Sequence, residues 1–262
     1  MIQNNLFRSF ALLITAITLS SCSSSDDSIE ERHNWRLVSI QYNASDYSYQ
    51  DRFSYDNAGR VVKWDRYQDD KCYTNTYTYA NDKITVDNGL YLYECTLSGG
   101  RIVRQERVNR MPEIIDYYYD NEGRMTGGSE DIKFEWNGEN MTKVTWGAIF
   151  EYTYTTIPNS IPFITSHCDD ILEWQGYFGK RTMYLPKKVS RITYFYPKDA
   201  SVHDETNGSL ECYQYDDYEY AIKDGIVTEV KRSTHTIRDY SGTTIPEEVY
   251  LCNWKLEYEE IK

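Results

Sequence analysis

A nine-residue phrase, present twice, limits what this chain can fold into more than any other feature. It reads Phe53-Ser54-Tyr55-Asp56-Asn57-Ala58-Gly59-Arg60-Val61 and returns as Tyr117-Tyr118-Tyr119-Asp120-Asn121-Glu122-Gly123-Arg124-Met125. Aromatic residues at alternate positions enter a polar turn. A glycine closes the turn, and a basic residue leads into a second apolar run. Alternation of period two is the pattern of a half-buried strand. Asp and Asn bond back to nearby backbone groups, and Gly takes positive φ without a steric penalty. The phrase therefore encodes a β-hairpin, with Gly59 and Gly123 at positive φ.

Looser copies run from Tyr77 to Ile84, from Phe134 to Met141 and from Tyr218 to Ile226. Return turns lie between them at Asp87-Asn88-Gly89 and Ser98-Gly99-Gly100-Arg101. Turns from Asn57 to Asn137 recur about every 16–24 residues, one hairpin per unit. An ordinary meander without repeat ancestry would give the same architecture. The alternating runs predict strands over 35–43, 51–55, 60–67, 72–79, 83–87, 90–97, 101–108, 114–119, 124–127, 132–136, 141–146 and 149–155. In the first of these, Trp35 and Leu37 share a face that Ser39 would extend. Two prolines, Pro158 and Pro162, then exclude a central strand over 156–163. Residues 169–179 read as a short helix, with acidic residues at its start and Gly179 past its end. Its apolar face, with Ile171, Leu172, Trp174 and Phe178, must be buried at one end or edge of the sheet. Extended chain resumes over 184–189, 191–196, 210–220, 226–236 and 251–259.

The predicted fold is all-β: a many-stranded antiparallel meander of hairpins with one short helix. Twisted open sheets rarely exceed about ten strands without curling, so this one should curve into a partial or closed barrel. A transmembrane barrel is not expected. Lipid-facing strands need an apolar row, and here both rows carry charge, as in Arg101-Ile102-Val103-Arg104-Gln105-Glu106-Arg107.

The first 21 residues form a separate unit. Arg8 supplies a positive start, and 10–19 are apolar but too short for a span. Leu19-Ser20-Ser21-Cys22 resembles a bacterial lipobox. The resemblance implies cleavage before Cys22 and acylation of its thiol and new amino group; the alternative is a secretory signal with a chance cysteine. Residues 22–33 read as an acidic tether and 34–262 as a single β-rich domain. The Ser23–Ser25, Asp26, Asp27 run resembles the surface-export signal of Bacteroidota lipoproteins. It implies an outer-membrane protein exposed at the cell surface, with a periplasm-facing orientation as the alternative.

The net charge is −13, and loss of a segment holding Arg8 and no acidic residue makes it more negative. That argues against nucleic acid and against electrostatic attachment to anionic head groups. The expected membrane partner is the bilayer itself, through acyl chains on Cys22. The 26 tyrosines suit a pleated surface that keeps hydroxyls available for water or a partner.

Repeated Tyr-x-Tyr-Asp-x-x-Gly-Arg hairpins are similar to the YD repeats of Rhs-type wrapping proteins. With the lipobox at Cys22 and the segment Gly176-Tyr177-Phe178-Gly179-Lys180-Arg181 leading to Leu185-Pro186, the chain more closely resembles a Bacteroidota lipoprotein family. That family is domain of unknown function 4595, described as having a porin-like fold. The resemblance runs from about residue 50 to the C-terminus. It implies a curved many-stranded sheet and no assigned activity.

Chemistry is sparse. His33, His167, His203 and His235 stand apart, and no metalloprotease, nucleophile-elbow, phosphate-loop or dinucleotide motif occurs. His167-Cys168-Asp169-Asp170 is best read as a helix start, where Asp169 or Asp170 accepts backbone N–H groups. Asp216-Asp217 and Glu247-Glu248 read as solvated faces. No cofactor or metal ligand set is expected: the cysteines lack zinc spacing, and the Asp-Asn turns lack calcium-loop spacing. After Cys22 the five cysteines are Cys72, Cys95, Cys168, Cys212 and Cys252. Cys72 and Cys95 should lie about 9–10 Å apart, too far to bridge. Cys212 and Cys252 would be the candidate pair. Two function classes follow: a non-enzymatic binding or interaction module for a glycan or protein ligand, or a secreted hydrolase whose site assembles only in the fold.

Overall fold

A computed structural model of the chain describes residues 35–129, 131–162, 168–195, 209–240, 243–244 and 247–261. The strands are β1 (Trp35–Ala44), β2 (Ser48–Tyr55), β3 (Val61–Gln68), β4 (Lys71–Tyr79), β5 (Lys83–Asp87), β6 (Leu92–Ser98), β7 (Arg101–Arg107) and β8 (Glu113–Tyr119). They continue with β9 (Met125–Gly128), β10 (Lys133–Asn137), β11 (Asn140–Thr145), β12 (Ile149–Pro158), β13 (Tyr184–Phe195), β14 (Ser209–Lys223), β15 (Ile226–Tyr240), β16 (Thr243–Thr244) and β17 (Glu248–Glu260). Among the described residues one helix, α1 (Asp170–Trp174), falls between β12 and β13.

Each strand from β1 to β15 pairs antiparallel with the next, and β17 pairs with both β15 and β1. The ladder thus closes into a barrel of sixteen strands, with β16 added only to the end of β15. The curved sheet expected from the turns is therefore a closed barrel. The turns behave as their chemistry requires. In the first, Asp56 accepts the N–H groups of Ala58 and Arg60 and the Arg60 side chain, while Gly59 sits at φ +76. The second repeats every feature with Asp120, Glu122, Arg124 and Gly123 at φ +81.

A second repeating feature involves the tyrosines. Odd-numbered strands carry a β-bulge near the end where these turns lie, and a bulge leaves a backbone carbonyl outside the ladder. An aromatic side chain on the following strand donates to that carbonyl. Tyr55 bonds Leu37 O, Tyr79 bonds Val61 O, Tyr119 bonds Ile102 O, and Trp136 Nε1 bonds Met125 O, at 2.5–2.7 Å. Tyr154, Tyr220 and Tyr258 do the same to Met141, Pro186 and Val227. Each accepting carbonyl belongs to a residue at a register shift. The β5–β6 pair differs: β5 has no bulge, and Leu97 fills the aromatic position.

The barrel is apolar inside and polar outside. One continuous core joins residues from around the wall, among them Leu37, Val61, Ile84, Ile102, Val144, Leu185 and Val227. The outward rows carry cross-strand ion pairs such as Arg36–Glu259, Lys83–Glu94 and Arg104–Asp116. This is the reverse of a lipid-facing wall, as the charged rows of the sequence led us to expect.

Residues 168–183, ahead of β13, plug one end of the interior. Asp169 caps α1 by accepting from Ile171 N and Leu172 N. The helix is shorter than the 169–179 read from sequence. Gly176, at φ +83, ends it, with Gly176 N–H on Glu173 O and Tyr177 N–H on Leu172 O. The remaining residues run as turns across the barrel end. Tyr177 O accepts from Ile102 N–H, Lys180 N–H donates to Gly123 O, and Met183 N–H donates to Glu139 O. Ile171, Leu172 and Phe178 are buried in the core, and Phe178 meets Tyr117 edge-on at 5.0 Å.

Other expectations change. Segments 184–189 and 191–196 form one strand, because Pro186 sits at a bulge where no ladder donor is needed. Ser39 does not extend the Leu37 face: the β1 bulge turns it outward to Glu257, at 2.6 Å, and Ile40 takes the inner position. Cys72 and Cys95 are both free, one exposed and one buried. Cys252 is also free and buried, and its neighbour across the ladder is Arg232. β15 separates it from the strand of Cys212, whose side chain lies outside the described residues. His33, His167 and His203 also lie outside them.

Candidate functional site at the barrel rim

At the end opposite the plug, β1 meets β2 through a short turn, and the interior becomes polar and aromatic. The register sets one row across the wall: Tyr49 opposes Tyr42, Tyr42 opposes Trp254, and Trp254 opposes Val230. Tyr42 and Tyr49 stack at 4.6 Å, and Tyr42 lies 5.2 Å from Trp254. Tyr47, from the turn, lies 5.1 Å from Tyr42 and is 42% exposed. Rows of this kind arise because period-two alternation sends every second side chain inward.

Two arginines stack on this surface. Arg66 sits 3.9 Å above Tyr49 and makes two bonds, at 2.8 and 2.9 Å, to Asp51, which is 1% exposed. Such bidentate pairing is the geometry that satisfies a buried carboxylate. Arg232 lies 5.2 Å from the Trp254 ring centroid, with Asp216 at 3.9 Å. Burial opposes the Arg232 charge, but Tyr218, the Cys252 thiol and Asp216 outweigh it and raise the pKa. Asp216 is therefore not a solvated face: it turns inward and accepts from Thr234 at 2.6 Å. Tyr250 donates to Asp46 at the same rim.

The Tyr42 hydroxyl lies among the Tyr47 and Tyr250 hydroxyls and the Cys252 thiol, and Arg232 neighbours the same thiol. Tyr42 is only 2% exposed. Burial beside Tyr47, Cys252 and Tyr250 pushes its phenol well above the ordinary value. The sequence holds Tyr42, Tyr47 and Tyr49 in view, but nothing local reveals Trp254 and Arg232, which arrive only when β17 closes onto β1.

The remaining sequence candidates fall elsewhere. His235 lies on the outer wall, stacked on Tyr215 at 4.5 Å, with Nδ1 at 2.6 Å from Glu247 and Nε2 at 3.8 Å from Asp217. Glu247 also accepts from Tyr215 while staying exposed, as expected of a solvated face. Asp169 is in the plug; burial raises its pKa to about 6 despite the two N–H groups it accepts. The cavity beneath the plug, lined by Met125, Phe134, Met141 and Phe178, holds about 20 Å³, room for roughly one water. Among the described residues no cluster of His, Cys, Asp and Glu could hold a metal ion. Cys22 lies outside them.

No family model matches the sequence, and no curated protein matches it. The structure is similar to the crystal structure of a porin-like protein from Bacteroides uniformis. The TM-score is 0.57 at 15% identity, over 84% of this chain and 96% of that one. The chain has a porin-like fold.

Proposed function

We propose that this is a lipid-anchored cell-envelope protein that acts as a non-enzymatic binding module through its rim. The observation that carries the reading is the Tyr47–Tyr42–Tyr49–Trp254 surface with two stacked arginines, a combination suited to ring stacking and hydrogen bonding. Glycan and protein ligands both fit that chemistry. The domain would be of the Bacteroidota type known as domain of unknown function 4595, in the outer membrane and exposed at the cell surface. Acyl chains on Cys22 would hold it there, since its outer wall suits water. Trp35 begins β1 beside the end of β17, at the plugged end.

The hydrolase alternative draws less support. The His235–Glu247 pair is its nearest counterpart, but it sits on the outer wall and its ring is covered by Tyr215. Two measurements test the proposal. Cys22→Ala should release the protein from membranes; retention after a high-salt wash would refute the anchor. Glycan-array and pull-down screens on the full chain should find a ligand lost on Trp254→Ala. A ligand unaffected by that change would refute the rim as the site.

A further inference from the structure

We infer that His235 is a pH-sensitive latch on the rim: its imidazolium form ties the head of β17 to the outer wall. The latch acts on the rim whatever the rim binds. β17 closes the barrel between β15 and β1, but its two ladders differ in length. Cys252 is the first β17 residue with a partner on β1, across from Ala44. Among the described residues Glu248, Val249, Tyr250 and Leu251 pair with β15 alone. A segment bonded on one side opens at a lower free energy than the strands around it. Val249 and Leu251 are 55% and 63% exposed, so packing adds little hold. Tyr250 lies on the opposite face by alternation and donates to Asp46 at the rim. The head of β17 therefore carries a rim contact on a sparsely supported stretch.

Glu247 precedes this stretch, and the wall holds it. Its carboxylate lies 2.6 Å from His235 Nδ1 and accepts from the Tyr215 hydroxyl at 3.1 Å. The other ring nitrogen, Nε2, lies 3.8 Å from Asp217 on β14. Tyr215 stacks on the imidazole, and Lys188 Nζ lies 3.5 Å from the Tyr215 ring centroid. The charged and titratable groups facing the ring are thus Lys188 from β13, Tyr215 and Asp217 from β14, and Glu247. Only an imidazolium can donate from both nitrogens; a neutral ring has one N–H and no charge. An imidazole ordinarily changes charge between about pH 5 and 8. His235 and then Tyr215 hold the Glu247 carboxyl below its ordinary value, so it stays ionised across that range. The latch is made at the acid end and released as the ring loses its proton. Exposed ion pairs are individually weak, but these act on four residues rather than on the whole barrel.

The test is amide hydrogen exchange of the full chain in mild detergent at about pH 5.5 and about pH 8, corrected for the intrinsic pH dependence of exchange. Residues 248–251 should lose protection about threefold at the higher pH. Residues 252–255, bonded on both sides, should not. His235→Gln and Glu247→Gln should each abolish the difference between the two pH values. The inference falls if residues 248–251 are protected equally at both, or if His235→Gln leaves the difference intact. It also falls if the loss extends equally through 252–255. Both substitutions lie on the outer wall, so a chain that fails to fold with either one would overturn a latch confined to four residues. A failed latch leaves the binding module standing, since no ligand enters the test.

Discussion

At the plugged end Leu172, Phe178 and Leu185 fill the barrel with apolar side chains, tyrosines close the bulge carbonyls, and the buried Asp169 carboxyl caps the helix. At the rim the same sheet faces the charged side chains of Asp51, Arg66, Asp216 and Arg232. The same strands reach both ends, so the difference lies in their inward rows and in the plug that fills one end alone. Packing at the plug gains from every contact. The rim holds charges whose value lies in their arrangement, since buried pairs repay little more than their own desolvation.

The largest effects should separate these two kinds of stabilisation. Phe178→Ala leaves a hole against Tyr117 and should cost about 3–5 kcal/mol, read from denaturant midpoints. Arg66→Met should cost a similar amount, roughly 3–5 kcal/mol, because the buried Asp51 loses its partner. The two differ in rescue. Adding Asp51→Leu should recover most of the Arg66 loss, whereas no second polar change should recover Phe178→Ala. If Asp51→Leu fails to rescue, the rim pair stabilises the fold outright and the contrast is wrong.

A smaller effect tests the carbonyl closures. Tyr119→Phe strands Ile102 O and should cost about 1–3 kcal/mol, while Tyr118→Phe on the exposed face should change nothing measurable. Equal midpoints for the two variants would remove the closures from the account. The smallest effect depends on pH. Burial raises Asp169 to about 6, above its value in an unfolded chain near 4. The folded state therefore holds a proton that the unfolded state releases. This contribution is complete below about pH 4 and fades as pH rises through about 6. Asp169→Asn should flatten that slope, by on the order of 1–2 kcal/mol across the window. An unchanged slope would show that Asp169 stays ionised.

The part of this architecture that is local was legible in the sequence. Asp56 and Gly59 act within four residues of each other, and the Asp169 cap spans three, so residue type alone suffices. The features that depend on distant partners were hidden. Nothing around Tyr119 shows that Ile102 will sit at a bulge, and a bulge turned Ser39 outward where plain alternation placed it inside. Helix length was misjudged because Gly179 looked like the stop, while Gly176 already met the Tyr177–Leu172 capping bond. The rim combines residues from both chain ends, and it comes into being only on closure.

That closure has a consequence for how the protein is made. Sixteen strands form between chain neighbours, each able to pair as soon as its partner exists. The seam is the exception: Trp35 must find Glu260, and Ala44 must find Cys252. Contacts so distant in sequence form late and slowly. Until they form, β1 and β17 are bare edges that invite pairing with another chain. The growing polypeptide therefore passes through an open ribbon, and its last strand decides whether that ribbon becomes one barrel or joins its neighbours.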